Sequence, residues 1–205
     1  MTLPAPRPSP SSDSLAWPGL CGVLGLTSIA AWYWGGAPNL GWQAALWPQR
    51  PWTLWSAALI HLSGAHLLAN LLALLVLAVL GACLHAGRTA TLALLLAWPL
   101  GTLALLWWPQ ITAYSGMSGL LNAMAAVLWA HSACRNDRQP VAWVIFAALA
   151  LKLASEHGWS QPIAFDPNWG FNVVYAAHLA GAMAGALCGL VLESAIKATK
   201  KTTGC

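Results

Sequence analysis

Charge is scarce in this chain, with nine lysines and arginines and five acids among 205 residues. A soluble domain of that length carries about a quarter charged residues to keep its surface in water. A water-facing globule is therefore excluded, and the surface must face lipid. The few bases (Arg7, Arg50, Arg88, Arg135, Arg138, Lys152, Lys197, Lys200 and Lys201) form no patch, so the net charge of +4 does not point to nucleic acid. Paired cysteine motifs are missing too. Cys21, Cys83, Cys134, Cys188 and Cys205 contain no C-x-x-C, which excludes a zinc ribbon or a redox motif of that type. Most lie in apolar runs, where cysteine acts as a small hydrophobe, and no disulfide framework is expected. Nor does the start read as a cleaved leader. Leu15 to Trp34 has one base before it and no obvious small-x-small cleavage site before the tryptophan cluster, which reads as a retained first span.

What the chain does contain is apolar sequence: 59% of residues are hydrophobic and the mean hydropathy is +0.63. At about 20 apolar residues per crossing, six membrane helices fit. The expected spans are 15–34, 62–84, 89–108, 118–134, 140–154 and 171–192. The fifth is short, and can extend through Lys152 and Glu156, one helical turn apart. Between the first two, Gly35 to Thr53 carries Pro38, Pro48 and Pro51, which argue against a spanning helix. Its Trp42, Trp47 and Trp52 suit the headgroup region, so an interfacial loop is expected there. The fold class is thus an all-α membrane protein, a six-helix bundle with an interfacial first loop.

Six spans place both termini on one side of the bilayer. Arg7, Arg88, Arg135, Arg138, Lys197, Lys200 and Lys201 fall on that side, and Arg50 and Lys152 on the other. Lysine and arginine in short loops mark the cytoplasmic face, so both termini are expected in the cytoplasm. The organisation reads as a disordered tail over 1–14, a helical domain over 15–195 and a basic tail over 196–205.

Polar groups inside spans are costly and are functional candidates by default. Three clusters qualify. His61 and His66-x-x-x-Asn70 open the second span, with His66 and Asn70 on one helix face. Ser115-Gly116-Met117-Ser118-Gly119 opens the fourth, and Ala177-His178-x-x-Gly181 lies in the sixth. All three sit near the outer ends of their helices and can meet at one depth. Acyl transfer is the chemistry they can perform. A serine hydroxyl is a weak nucleophile until a base takes its proton, and His178 can take it from Ser118 and return it to a leaving amine. His66, the Asn70 amide and the Ser118 N–H can hold an oxyanion. Gly116 and Gly119 allow a sharp turn and close approach. Small residues at Ala177, Gly181, Gly185 and Gly189, and at Gly119 and Ala123, can bring the two helices together.

Plainer readings stand beside this one. Gly-x-Ser-Gly alone can serve packing, and Gly181-x-x-x-Gly185 can mark a homodimer face. Three histidines could ligate haem or a metal, but no partner lies at a metal-motif spacing, and neither metal nor cofactor is expected. His85 and His131 read as interfacial, His157 as a solvated loop residue, and Cys188, Met124 and Met183 as packing. Glu156 and Asp166 read as solvated in the outer loop, leaving no acid for His178. A Ser–His dyad is therefore expected, not a triad. A non-catalytic chaperone that holds a client helix and a small transporter are the competing functions.

Taken in this order, His66-x-x-x-Asn70, Gly116-x-Ser118-Gly119 and Ala177-His178-x-x-Gly181 resemble the rhomboid family of intramembrane serine proteases. The likeness covers about residues 50–192. It implies Ser118 as nucleophile, His178 as base, and His66 and Asn70 as oxyanion and substrate-binding residues with Gly116; His61 matches a further recurrent histidine. It also implies a transmembrane protein as substrate and a bacterial inner membrane as the site of action. Two positions depart from the family pattern. Trp52-Thr53 stands where Trp-Arg is common, so any stabilising role of that arginine is absent or passes to Arg50. Asn122 stands where a tyrosine often stacks on the histidine, and Asn122 is expected to help orient His178 instead. The chain's small size, the run Leu151 to Glu156 and the run Val173 to His178 resemble the rhombosortase branch, whose members cut proteins bearing a C-terminal tail with a Gly-Gly motif, a membrane segment and a basic end.

Overall fold

The computed structural model describes residues 13–35 and 39–202. Six long helices dominate, in chain order with shorter elements between them. The sequence α1 (Ala16–Tyr33), β1 (Trp42–Gln43), α2 (Thr53–Ser56), α3 (Gly64–Cys83) and α4 (Arg88–Leu103) forms the first half. Then follow β2 (Ala113–Tyr114), α5 (Ser118–Ala133), α6 (Gln139–Glu156), β3 (Ala164–Asp166), β4 (Phe171–Val173) and α7 (Tyr175–Thr202). Four helical stretches are long and apolar enough to cross a membrane: Gly64–Cys83, Arg88–Trp107, Gln139–Glu156 and Tyr175–Thr199. The other two long helices fall short for identifiable reasons. Trp17, Pro18, three glycines, Thr27 and Ser28 dilute the apolar character of α1, and α5 has only 16 residues.

The packing inverts the pattern of a soluble protein. Leu68, Leu72, Leu75, Val76 and Val79 on α3 are exposed, as are Val144 and Leu151 on α6 and Leu187 and Val191 on α7. His61, His66, Asn70, Asn122, His131, Ser132 and His178 are buried. Apolar groups outside and hydrogen-bonding groups inside is the arrangement a lipid solvent requires. This is an integral membrane protein.

Helix α5 is the centre of the bundle. It is packed by α7, α6, α4 and α3, and most of its side chains are buried. The small-residue stripe of α7 lies against it. A Cβ at Gly181 would overlap the Gly119 carbonyl oxygen, and one at Gly185 would overlap that of Ala123. Gly101 of α4 joins the same contact, where a Cβ would sit 3.2 Å from Gly181 Cα. The stripe is therefore used inside the chain, which removes Gly181-x-x-x-Gly185 as a free homodimer face.

Several expectations need correction. Trp42 does not sit among the headgroups: it is fully buried and paired as a strand residue with Tyr114, while Gln43 pairs with Ala113. Trp52 does stay about half exposed, as an interfacial ring should. The sixth span does not begin at 171. Phe171–Val173 pairs antiparallel with Ala164–Asp166 in a hairpin, and the helix runs from Tyr175 to Thr202, so the first part of the expected 196–205 tail is helical. Most of the expected 1–14 tail lies outside the described residues. Asp13, which belongs to it, has a structural role: its carboxylate accepts the Arg88 N–H at 2.9 Å, capping α4, whose preceding residue Gly87 has no side chain to do so.

Candidate active site

The site forms where the ends of α3, α5, α6 and α7 converge beneath the β3–β4 hairpin. At α3, Ser63 is the N-cap and its hydroxyl accepts the His66 N–H at 3.1 Å, fixing the first turn that carries His66. One helical turn on, Asn70 is buried on the same face. The turn into α5 needs Gly116, whose φ of +130° suits only a residue without a Cβ. A Cβ there would also press on the His66 ring, 2.9 Å from its Cε1. Ser118 then begins the helix, so its own N–H is among the donors that a helix leaves without an internal partner.

Tyr114 braces this turn, and sequence reasoning passed over it. Its hydroxyl donates to the Gly116 carbonyl at 2.7 Å and accepts the Gly119 N–H at 3.2 Å. Burial pushes the phenol up to about 12, so it keeps its proton and the first of those bonds. The signal that could have found it was a hydroxylated aromatic two residues before the strained glycine.

Sixty residues separate Ser118 from His178, yet Ser118 Oγ lies 2.8 Å from His178 Nε2. The backbone contact of Gly181 on Gly119 explains how: with no side chain between them, α5 and α7 approach closely beside Ser118 and one turn from His178. The opposite ring nitrogen, Nδ1, lies 2.8 Å from Glu156 Oε2. Glu156 had been expected in solvent. Instead α6 runs on to Glu156 and turns its carboxylate inward, leaving it 18% exposed beside a histidine side chain 7% exposed. Lys152, one turn earlier, lies 2.5 Å from Glu156 Oε1 and 3.3 Å from His178 Nδ1. Asp166 accepts from the Tyr175 hydroxyl at 3.4 Å.

Asn122 does not orient His178. Its amide donates to the Ser118 carbonyl at 2.8 Å, within its own helix. The aromatic neighbour of the histidine comes from elsewhere: Tyr175, on α7 itself, meets the His178 ring edge-on at 5.9 Å.

A cavity of about 410 Å³ joins these groups, lined by His66, Asn70, Ser118, Lys152, Glu156 and His178 among others. Trp169 and Phe171 at the hairpin pack over His66, with ring centroids 5.8 and 5.2 Å away. Two polar atoms at the site have no hydrogen-bond partner among the described residues, His66 Nδ1 and Asn70 Nδ2. An amide donor left empty in a buried place is unusual, since such groups are nearly always satisfied. His61 lies beside His66, its centroid 5.2 Å away, with Nδ1 donating to the Leu59 carbonyl at 3.2 Å. Burial lowers its basicity. No group of three metal-ligating side chains occurs among the described residues.

Chemically, the arrangement pairs a hydroxyl with an imidazole nitrogen in hydrogen-bond reach, beside an amide donor without a partner among the described residues, on one cavity. The Rhomboid domain family model matches residues 48–195, well over half of the chain and all of these groups. Among curated proteins, no match is found.

Proposed function

Because the chain belongs to the rhomboid family, we propose that it is an intramembrane serine endopeptidase in which Ser118 is the nucleophile and His178 the general base. The observation that carries this reading is the 2.8 Å contact between Ser118 Oγ and His178 Nε2. As Oγ attacks a peptide carbonyl carbon, its proton passes to Nε2. The carbonyl oxygen becomes an oxyanion, which takes hydrogen bonds from the Asn70 amide, His66 and the Ser118 N–H, with Gly116 leaving room for the chain. Collapse breaks the C–N bond, and the proton on Nε2 moves to the leaving amine. Water, activated by the same nitrogen, then hydrolyses the acyl-enzyme.

The substrate is a transmembrane protein cut near the outer face. On six spans, the distribution of bases puts both termini in the cytoplasm. Arg138 reaches the Leu84 carbonyl at the end of α3, so the Arg135–Arg138 turn and the end of α3 share the face opposite the serine. A bacterial inner membrane and the rhombosortase branch, with its C-terminal Gly-Gly sorting tails, complete the proposal on the likeness of Leu151 to Glu156 and Val173 to His178 to that branch.

A fluorophosphonate probe tests the chemistry. Wild type should be labelled, and Ser118→Ala and His178→Ala should not, while both variants remain folded. Equal labelling of wild type and Ser118→Ala removes the protease reading and favours a chaperone that holds client helices. For the substrate, a reporter ending in a Gly-Gly motif, a membrane helix and basic residues should be cut by the wild type. Equal cutting of a reporter without that tail would set the branch assignment aside.

A further inference from the structure

The contacts at His178 Nδ1 cannot all be hydrogen bonds at once. An imidazole nitrogen either carries a proton and donates, or has a lone pair and accepts. Glu156 Oε2, at 2.8 Å, offers only acceptance; Lys152 Nζ, at 3.3 Å, offers only donation. The choice decides the chemistry at the other end of the ring. If Nδ1–H donates to Glu156, Nε2 keeps its lone pair toward Ser118 and can take the serine proton. If Nδ1 accepts from Lys152, the neutral ring carries its proton on Nε2, facing the nucleophile, and cannot act as base.

We infer that Glu156 is a positioning residue for His178, holding the imidazole in the one tautomer that can act as base, and that Lys152 fixes which carboxylate oxygen does so. This rests on the protease reading and adds a third group to the expected pair. Lys152 binds Oε1 at 2.5 Å, engaging the ammonium and leaving Oε2 to the ring. The two lie four apart on α6, so the helix holds both in one geometry. Lys152 is a partner of the carboxylate when Glu156 is present and a competitor for the ring when it is not.

The lysine makes the glutamine variant informative. In Glu156→Gln, the side-chain oxygen turns to the Lys152 ammonium, so the NH₂ faces Nδ1 and donates to it. That forces the proton onto Nε2. Removing the ammonium as well lets the amide flip and offer its oxygen to Nδ1.

The experiment uses the purified full-length protein in detergent, a fluorophosphonate probe, and separate measurement of the maximal inactivation rate and the probe's apparent affinity. Glu156→Gln should lower the maximal rate by about 10²–10⁴-fold with the affinity unchanged, the scale seen when a buried carboxylate orienting a catalytic histidine becomes an amide. Glu156→Gln/Lys152→Met should be faster than Glu156→Gln alone, a recovery that a merely structural role for Glu156 does not produce. A Glu156→Gln rate near that of wild type, or a double variant no faster than the single, overturns the inference. Nitrogen NMR of ¹⁵N-histidine-labelled wild type, with the His178 signal assigned by its loss in His178→Ala, reads the tautomer directly and does not depend on any Glu156 variant folding. A neutral ring protonated on Nδ1 is expected; one protonated on Nε2 overturns the inference. Wild type labelled no better than Ser118→Ala is a different failure: it removes the protease reading, while the tautomer measurement still judges the role of Glu156.

Discussion

Helices α5 and α7 are joined at both ends by a histidine, and a glutamate lies against the ring in each case. At the serine end, His178 of α7 has Glu156 at Nδ1 and the Ser118 hydroxyl at Nε2. At the other end, His131 of α5 has Glu193 of α7 at Nδ1, 2.5 Å away, and the Leu84 carbonyl at Nε2, 3.2 Å away. Besides the Lys152 ammonium near His178, the two rings differ in the partner at Nε2. A hydroxyl can donate, so Nε2 of His178 can keep a lone pair. A carbonyl can only accept, so Nε2 of His131 must donate and has no lone pair to offer. The first arrangement leaves a base; the second leaves a strut. Burial and residue type are shared, and the donor inventory of the third group decides between them.

Deleting each histidine separates the two roles, and this is the largest effect expected. His178→Ala should reduce fluorophosphonate labelling by about 10⁴-fold or more, the scale of losing a base from a hydroxyl nucleophile. His131→Ala should leave the labelling rate close to wild type but lower thermal stability, by about 1–3 kcal/mol, because the partly buried Glu193 carboxylate loses its partner. Labelling lost in His131→Ala with the melting temperature unchanged would show that the contrast is wrong. Next in size is Asn70→Ala. Its amide hydrogen has no partner among the described residues, and removing one oxyanion donor costs about 10²–10³ in turnover. A reporter-cleavage assay with unchanged substrate affinity checks it.

The same contrast explains what could be read from the residues alone. Ser118, His178, His66 and Asn70 stand in apolar runs, where any polar group is conspicuous, and the structure brings all four to one cavity. The stripe Ala177, Gly181, Gly185, Gly189 was legible because only close backbone contact explains small residues at every fourth position. Glu156 and His131 were not legible. Both lie at helix ends, where a charged or titratable side chain reads as solvated, and neither has a partner near it in sequence that shows which way it turns. Glu156 faces His178 only because α6 runs on to it and lies against α7, and His131 meets Glu193 62 residues away. Trp42 misled for a related reason: a tryptophan in a proline-rich loop suits a headgroup, and only its pairing with Tyr114 draws it inward.

Between the two histidines the glycine stripe sets the spacing, and it offers a graded pair of variants. Gly181 lies one turn beyond His178, and Gly189 one turn before Glu193. Gly181→Ala should drive α7 from α5 near the serine, and a displacement of about 1 Å at a catalytic contact can cost about 10²-fold in rate. Gly189→Ala meets the Ala130 side chain, where a Cβ would lie 2.7 Å away. It should cost about 1–3 kcal/mol of stability by overpacking, with little change in labelling. Equal effects of the two on rate would mean that the helices respond as one rigid unit, and the ends could not then be tuned separately.

The smallest effect belongs to Tyr114→Phe, which touches the serine end without touching the histidine. The ring stays in its buried place, and only the hydroxyl is lost. The Gly116 carbonyl then lacks its donor and the Gly119 N–H its acceptor, at the turn that aims Ser118. Leaving buried groups unsatisfied costs about 1–3 kcal/mol in stability. Because the turn is also held by the Gly116 N–H on the Ala57 carbonyl at 2.9 Å, Ser118 should shift only slightly, and labelling should fall by less than in Gly181→Ala. Thermal unfolding and the labelling rate, measured on the same preparation, test both halves. A labelling loss as deep as that of His178→Ala would move Tyr114 from brace to participant, and the serine end would then need a fourth group to account for its chemistry.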